Sequence, residues 1–87
     1  MNKSKIDETV IDVFRTLFRQ PDLELRDEMT SADVAGWDSL KHVSLIIHLA
    51  DELGIKFRGD EVVRLTNVGE LRSLVHEKTA AQPAGRV

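Results

Sequence analysis

The stretch GWDSLKHVSLIIHLADELG, residues 36–54, decides the architecture of this chain. At 100° per residue, Leu40, Val43, Leu45, Ile46, Ile47, Leu49, Ala50 and Leu53 fall within an arc of about 220° on a single helix. Lys41, Ser44, His48, Asp51 and Glu52 share the remaining face. A helix lying on one neighbour needs an apolar stripe of about 100° or somewhat more. The wider arc predicts contact on two sides, with residues 39–53 as the central helix of a bundle. Gly54 is the expected stop, since glycine after a last turn adopts positive φ without steric cost.

Other helices read outward from this one. Over 4–19, Ile6, Val10, Val13, Phe14 and Leu17 recur at helical spacing, and Ile11 and Phe18 widen the stripe. Ser4 is the expected N-cap, and Pro21 marks the end because it cannot continue the ladder. Residues 20–38 form a connection longer than the usual limit of about 12–15 for a structureless loop. Leu23, Leu25, Met29 and Val34 pin it to the core, and Gly36 supplies a turn before the helix. Ile55 and Phe57 dock the next connection. A short helical piece follows over 60–65. A last helix over about 67–79 is capped simply by Thr66 or Asn67, with Val68, Leu71, Leu74 and Val75 as its stripe. Residues 80–87 read as a flexible tail. The fold class is all-α: three main helices and one short one, in a single domain over 1–79.

Composition narrows the function. A chain of 87 residues supports one modest core and no deep substrate cavity. It has no cysteine, so disulfides and thiolate metal sites are excluded and an intracellular, cytoplasmic location is favoured. No run reaches the roughly 18 apolar residues of a membrane span. Net charge is −3, with no basic stripe for nucleic acid. Residues 21–38 carry a local balance of −5, from Asp22, Glu24, Asp27, Glu28, Asp33 and Asp38 against Arg26. That segment reads either as a steering surface for a basic partner or as a solvated loop. The histidines His42, His48 and His76 lack metal-ligand spacing. No nucleophile–base pair, glycine-rich phosphate loop or carboxylate pair is evident.

Asp38-Ser39 is the remaining candidate site. Both residue types are favoured N-caps, and capping alone accounts for them. The same helix N-terminus also favours an anion, because its unpaired N–H groups and dipole carry positive charge. A phosphodiester on the Ser39 hydroxyl would sit in that field. Trp37 and Leu40 flank it as apolar handles, Trp37 being either a loop anchor or a partner contact. His42, one turn on, reads as a half-buried packing residue or as a contact to a bound group or partner.

The run Gly36 to Ile46 resembles the attachment motif of acyl and peptidyl carrier proteins. The resemblance extends over about 4–79. It takes in the long first loop, Glu52-Leu53-Gly54-Ile55 at the helix exit and Thr66-Asn67-Val68 before the last helix. It implies that Ser39 bears 4′-phosphopantetheine, transferred from coenzyme A by a phosphopantetheinyl transferase. It implies a carrier rather than an enzyme, monomeric, holding acyl or aminoacyl groups as thioesters. Asp38, Leu40, Trp37, Lys41, His42 and Val43 would be the partner-recognition residues. A loading ligase and downstream synthase or transferase enzymes would be the further partners. Housekeeping fatty-acid carriers present a strongly acidic second helix, whereas this one shows Lys41, Ser44 and His48 and sums to −1. That departure favours a polyketide, nonribosomal-peptide or related pathway, with a standalone peptidyl carrier as the alternative. A small helical interaction module, never modified, is the competing class.

Overall fold

The computed structural model describes residues 3–81. Within them the chain forms α1 (Lys3–Leu17), α2 (Ser39–Leu53), α3 (Gly59–Arg64) and α4 (Val68–Ala81). No strand occurs among the described residues. On α1, Ile6, Val10, Val13 and Phe14 share a face and are buried. Opposite them lie Leu45, Ile46, Leu49 and Leu53 of α2, and Val68, Leu71 and Val75 of α4. It is α1, not α2, that packs along two other helices.

The two-sided burial expected of α2 is therefore not found. Its buried residues span only about 100° of the helix, one neighbour's worth. The rest of the apolar arc faces outward: Leu40 is 76% exposed, Ile47 62% and Val43 50%. The reason is the brevity of α3. This six-residue helix fully buries none of its own side chains and reaches α2 at its head, through His42 and Val43.

Helix ends also differ from the sequence reading. Ser4 lies inside α1, past its start at Lys3, and caps nothing. Termination of α1 falls to Arg19, whose φ of 56° is left-handed, and not to Pro21. The Gln20 N–H then closes on the Arg15 carbonyl at 3.0 Å, the bond that wraps a helix C-terminus. Gly54 ends α2 as expected, with φ 66° and its N–H on the Ala50 carbonyl. At α4 the cap is not simple. Asn67 Oδ1 accepts the Glu70 N–H at 2.8 Å. Glu70 reaches back to accept both the Thr66 N–H at 2.7 Å and its hydroxyl at 2.6 Å. With Asn67 as the cap, Glu70 is the third helical residue, so a capping-box spacing was present one residue later than Thr66. The helix runs on to Ala81, so residues 80 and 81 of the expected tail are helical, and the remainder of that tail lies outside the described residues.

The long connection is a chain of tight turns. Backbone bonds Met29 to Arg26, Asp33 to Thr30 and Trp37 to Val34 each close one, at 2.9–3.1 Å. Met29, Val34 and Trp37 are buried, while Leu23 and Leu25 are half-buried against the same core. Two of its carbonyls face the start of α4: Met29 accepts the Val68 N–H at 2.9 Å and Asp27 the Gly69 N–H at 2.8 Å. These are orphan amides of a helix N-terminus, so loop and helix complete each other. Four of the six acidic side chains in residues 21–38 have partners nearby. Asp27 pairs with Arg72, Glu28 with Arg26, Asp33 accepts the Thr30 N–H and Asp38 the Lys41 N–H. This favours a structural loop over a surface that steers a basic partner.

A second tie joins α1 to α4. Asp7 accepts from Arg72 at 3.1 Å and lies 2.8 Å from His76 Nε2. Partial burial pushes the Asp7 carboxyl up, but the hydrogen bonds from His76 and Arg72 outweigh it and hold the group below its ordinary value.

Two outcomes follow for stability. A Cβ at Gly69 would stand 2.9 Å from Asp27 Cβ and 3.1 Å from its carbonyl oxygen. Gly69→Ala should therefore destabilise the protein by about 1–3 kcal/mol, measured by urea unfolding. A carboxyl with a lowered folded pKa adds stability above its unfolded value, about 3.9 for aspartate, and loses it as pH falls through the folded value. Asp7→Asn should lower stability at neutral pH by roughly 0.5–1 kcal/mol and flatten the loss below about pH 4. Unfolding curves across pH check both.

Candidate functional site

Ser39 is the first residue of α2, and the chain reaches it through two fixed residues. Gly36, at φ 89°, turns the backbone in the left-handed region that favours glycine. Trp37 then inserts into the core, its ring edge-on to Phe14 at 5.4 Å between centroids and 6.1 Å from Phe18. Its burial makes Trp37 the loop anchor and leaves little of it for a partner. Next, Asp38 takes the extended conformation of an N-cap, φ −113° and ψ −172°. Its Oδ1 accepts the Lys41 N–H at 2.8 Å, and its carbonyl accepts the His42 N–H at 2.8 Å.

Asp38 thus does the capping, and Ser39 does not. The Ser39 side chain is exposed. Among the described residues no hydrogen bond engages its hydroxyl. It stands at the head of a 15-residue helix, where among the described residues the Ser39 and Leu40 N–H groups have no partner and the Lys41 N–H is taken by Asp38. The arrangement offers a free nucleophilic oxygen in a field that favours negative charge.

His42 lies behind it, half-buried, with both ring nitrogens engaged. The Trp37 indole N–H donates to Nδ1 at 3.1 Å, and Nε2 is 3.1 Å from the Val62 carbonyl. An open cleft borders Ser39 between the loop, the head of α2 and α3. Val43, Val62, Val63 and Leu65 form its apolar walls, and Ser31, Asp38 and Thr66 its rim. Leu40, Ile47 and Val63, 79% exposed, extend the apolar surface beyond it. Lys41 lies on the other side, in a groove toward α1 shared with Arg19, His48 and Glu52. His76 is remote, bound to Asp7.

Of the residues marked by sequence, Asp38, Ser39, His42 and Val43 meet at this cleft with Trp37, while Leu40 and Lys41 project to either side. Sequence reasoning missed Val62 and Val63 as cleft walls, because α3 read only as a short amphipathic piece. It also missed Ile47 as surface, because periodicity marks a residue as apolar without saying whether anything covers it.

No protein-family model matches the chain, and no curated protein matches it significantly. Solved structures do. One is a solution NMR structure of holo acyl carrier protein from Geobacter metallireducens. It is 37% identical, with a TM-score of 0.78, over 86% of this chain and 85% of that one. Another is a candidate acyl carrier protein from Mycobacterium tuberculosis. It is 25% identical, with a TM-score of 0.75, over 83% of this chain and 96% of that one.

The division of labour between neighbouring residues has a measurable consequence. Asp38→Ala should cost about 1 kcal/mol through loss of the cap. Ser39→Ala should stay within about 0.5 kcal/mol of the parent. Thermal and urea unfolding of the two variants checks it.

Proposed function

Because the chain belongs to the acyl carrier proteins, which are carriers and not enzymes, we propose that Ser39 bears a 4′-phosphopantetheine arm. The observation that carries this reading is the exposed Ser39 hydroxyl, left without a hydrogen bond because Asp38 caps the helix. A serine needed for capping would be engaged by its own helix. This one is available to an outside enzyme.

The site's chemistry fits the group. The Ser39 oxygen attacks the pantetheine-bearing phosphorus of coenzyme A, and an O–P bond forms as the pyrophosphate bond breaks. The nucleotide bisphosphate leaves, and the serine proton passes to a base of the phosphopantetheinyl transferase. The Ser39 and Leu40 N–H groups, left open beside the capped Lys41 N–H, then favour the new phosphodiester. Asp38 keeps that turn in place. The attached arm supplies a terminal thiol, on which acyl or aminoacyl groups are held as thioesters. Val43, Val62, Val63 and Leu65 give it an apolar wall beside its root.

The partner surface is read from exposure. Leu40, Val43, Ile47 and Val63 form an apolar stripe too exposed to serve the core. Asp38 borders it. We assign docking of the transferase, of a loading ligase and of downstream synthase or transferase enzymes to this face. Asp38 is the charged residue of the cleft itself; Lys41 faces the groove toward α1, and Arg58 and Arg64 the groove toward α4. A carrier of a specialised pathway, polyketide, nonribosomal-peptide or related, fits an α2 that exposes Lys41 and His48 better than a housekeeping fatty-acid carrier does. The domain spans 1–79 in this reading, and the chain acts as a monomer in the cytoplasm.

The test is loading. Incubation with coenzyme A, magnesium and a broad-specificity transferase should add one phosphopantetheine by intact mass. Ser39→Ala, folded, should gain nothing. No gain by the folded parent chain would favour an unmodified interaction module. Efficient elongation on the loaded protein by generic fatty-acid synthase enzymes would count against a specialised pathway.

A further inference from the structure

We infer that His42 is a positioning residue: as the Nε2–H tautomer it ties Trp37, and with it the backbone presenting Ser39, to the last turn of α3. An indole N–H only donates, and a carbonyl only accepts. Trp37 Nε1 is 3.1 Å from Nδ1, so Nδ1 must offer a lone pair. The ring proton then sits on Nε2, 3.1 Å from the Val62 carbonyl. The other neutral tautomer would oppose donor to donor at Trp37 and lone pair to lone pair at Val62. The imidazolium keeps the bond to Val62 and loses the bond from Trp37.

Each end of this bridge matters locally. The Val62 carbonyl lies in the final turn of a short helix, where carbonyls lack intrahelical partners, and its other contact is the Leu65 N–H at 3.4 Å. Val62 packs half-buried against the core, and because no side chain of α3 is fully buried, such ties add to its seat. A second is the Glu61–Lys78 pair to α4 at 2.9 Å. At the other end, His42 holds residue 37 through its ring and residue 38 through its backbone N–H. Ser39 follows directly. Both the register of the attachment residue and the width of the cleft beside it therefore pass through one imidazole.

Charged groups around the ring are few. Asp38 shares the cleft. Lys41, on the same helix, faces the groove toward α1. On α3, Asp60 is paired with Arg58 and Arg64, and Glu61 with Lys78. α1 and the turn just past it present Phe14 and Phe18 to Trp37.

The experiment uses the unloaded, isotope-labelled chain and the indole N–H of Trp37, its sole tryptophan. On acidification the indole resonance should move in step with the His42 ring resonances. Its hydrogen-exchange protection factor should fall about fivefold, as for loss of one hydrogen bond. His42→Asn, whose Oδ1 stands near the place of Nδ1, should keep the protection and abolish its pH dependence. His42→Phe should lose it at every pH. An indole N–H indifferent to both the ring's titration and His42→Phe would overturn the assignment.

The consequence for Ser39 rests on the proposed attachment and is read separately. His42→Phe should lower kcat/KM for modification by the transferase about fivefold, and His42→Asn should restore most of it. Equal rates in both variants and the parent would overturn the positioning role. Failure of the parent to be modified would contradict the attachment reading instead, leaving the indole resonance to decide the His42 bridge.

Discussion

The indole of Trp37 rests edge-on against Phe14, and the geometry of the Ser39 site depends on that contact. An aromatic pair of this kind is worth about 0.5–1.5 kcal/mol beyond the area it buries. Its larger effect is positional. The connection before α2 is long, and without an interior anchor its last residues would approach the helix from many directions. Burying Trp37 between α1 and the head of α2 leaves one approach. Gly36 makes the turn into it, Asp38 caps the helix out of it, and Ser39 emerges with its hydroxyl unengaged.

The same constraint explains why the loop is built as it is. Its turns place the Asp27 and Met29 carbonyls on the first amides of α4, and Arg72 of α4 returns to Asp27. The loop therefore belongs to the scaffold. What is left without internal work is the outer flank of α2 and the neighbouring face of α3. The core lies on one side of α2, between it and α1, and the exposed apolar residues lie on the other. The residues that keep the protein folded are thus distinct from the exposed apolar ones, the face to which we assign partner docking.

Much of this was legible in the chain because it is local. Gly54 as a stop, Gly36 as a turn and Asp38-Ser39 at a helix head each follow from short-range backbone chemistry. The periodicities of α1 and α2 were equally plain. What stayed hidden was of two kinds. Some choices turn on a single angle or bond. Whether Asp38 or Ser39 caps α2 depends on which side chain reaches the Lys41 amide, and the end of α1 depends on Arg19 entering a region with no signature for arginine. Others are non-local. The Asp7–Arg72–His76 tie joins residues more than sixty apart in sequence. The exposure of Ile47 follows from α3 being too short to cover it.

The central claim is that Ser39, freed from capping by its neighbour, carries the arm on which this protein's cargo travels. The direct measurement is fragmentation mass spectrometry of the protein purified from its own cells, peptide by peptide. The account predicts phosphopantetheine on the peptide containing Ser39, localised to that residue, with a free thiol or a thioester-bound acyl or aminoacyl group at its end. An unmodified Ser39 throughout, or the arm on Ser31, Ser44 or Ser73 instead, would contradict it.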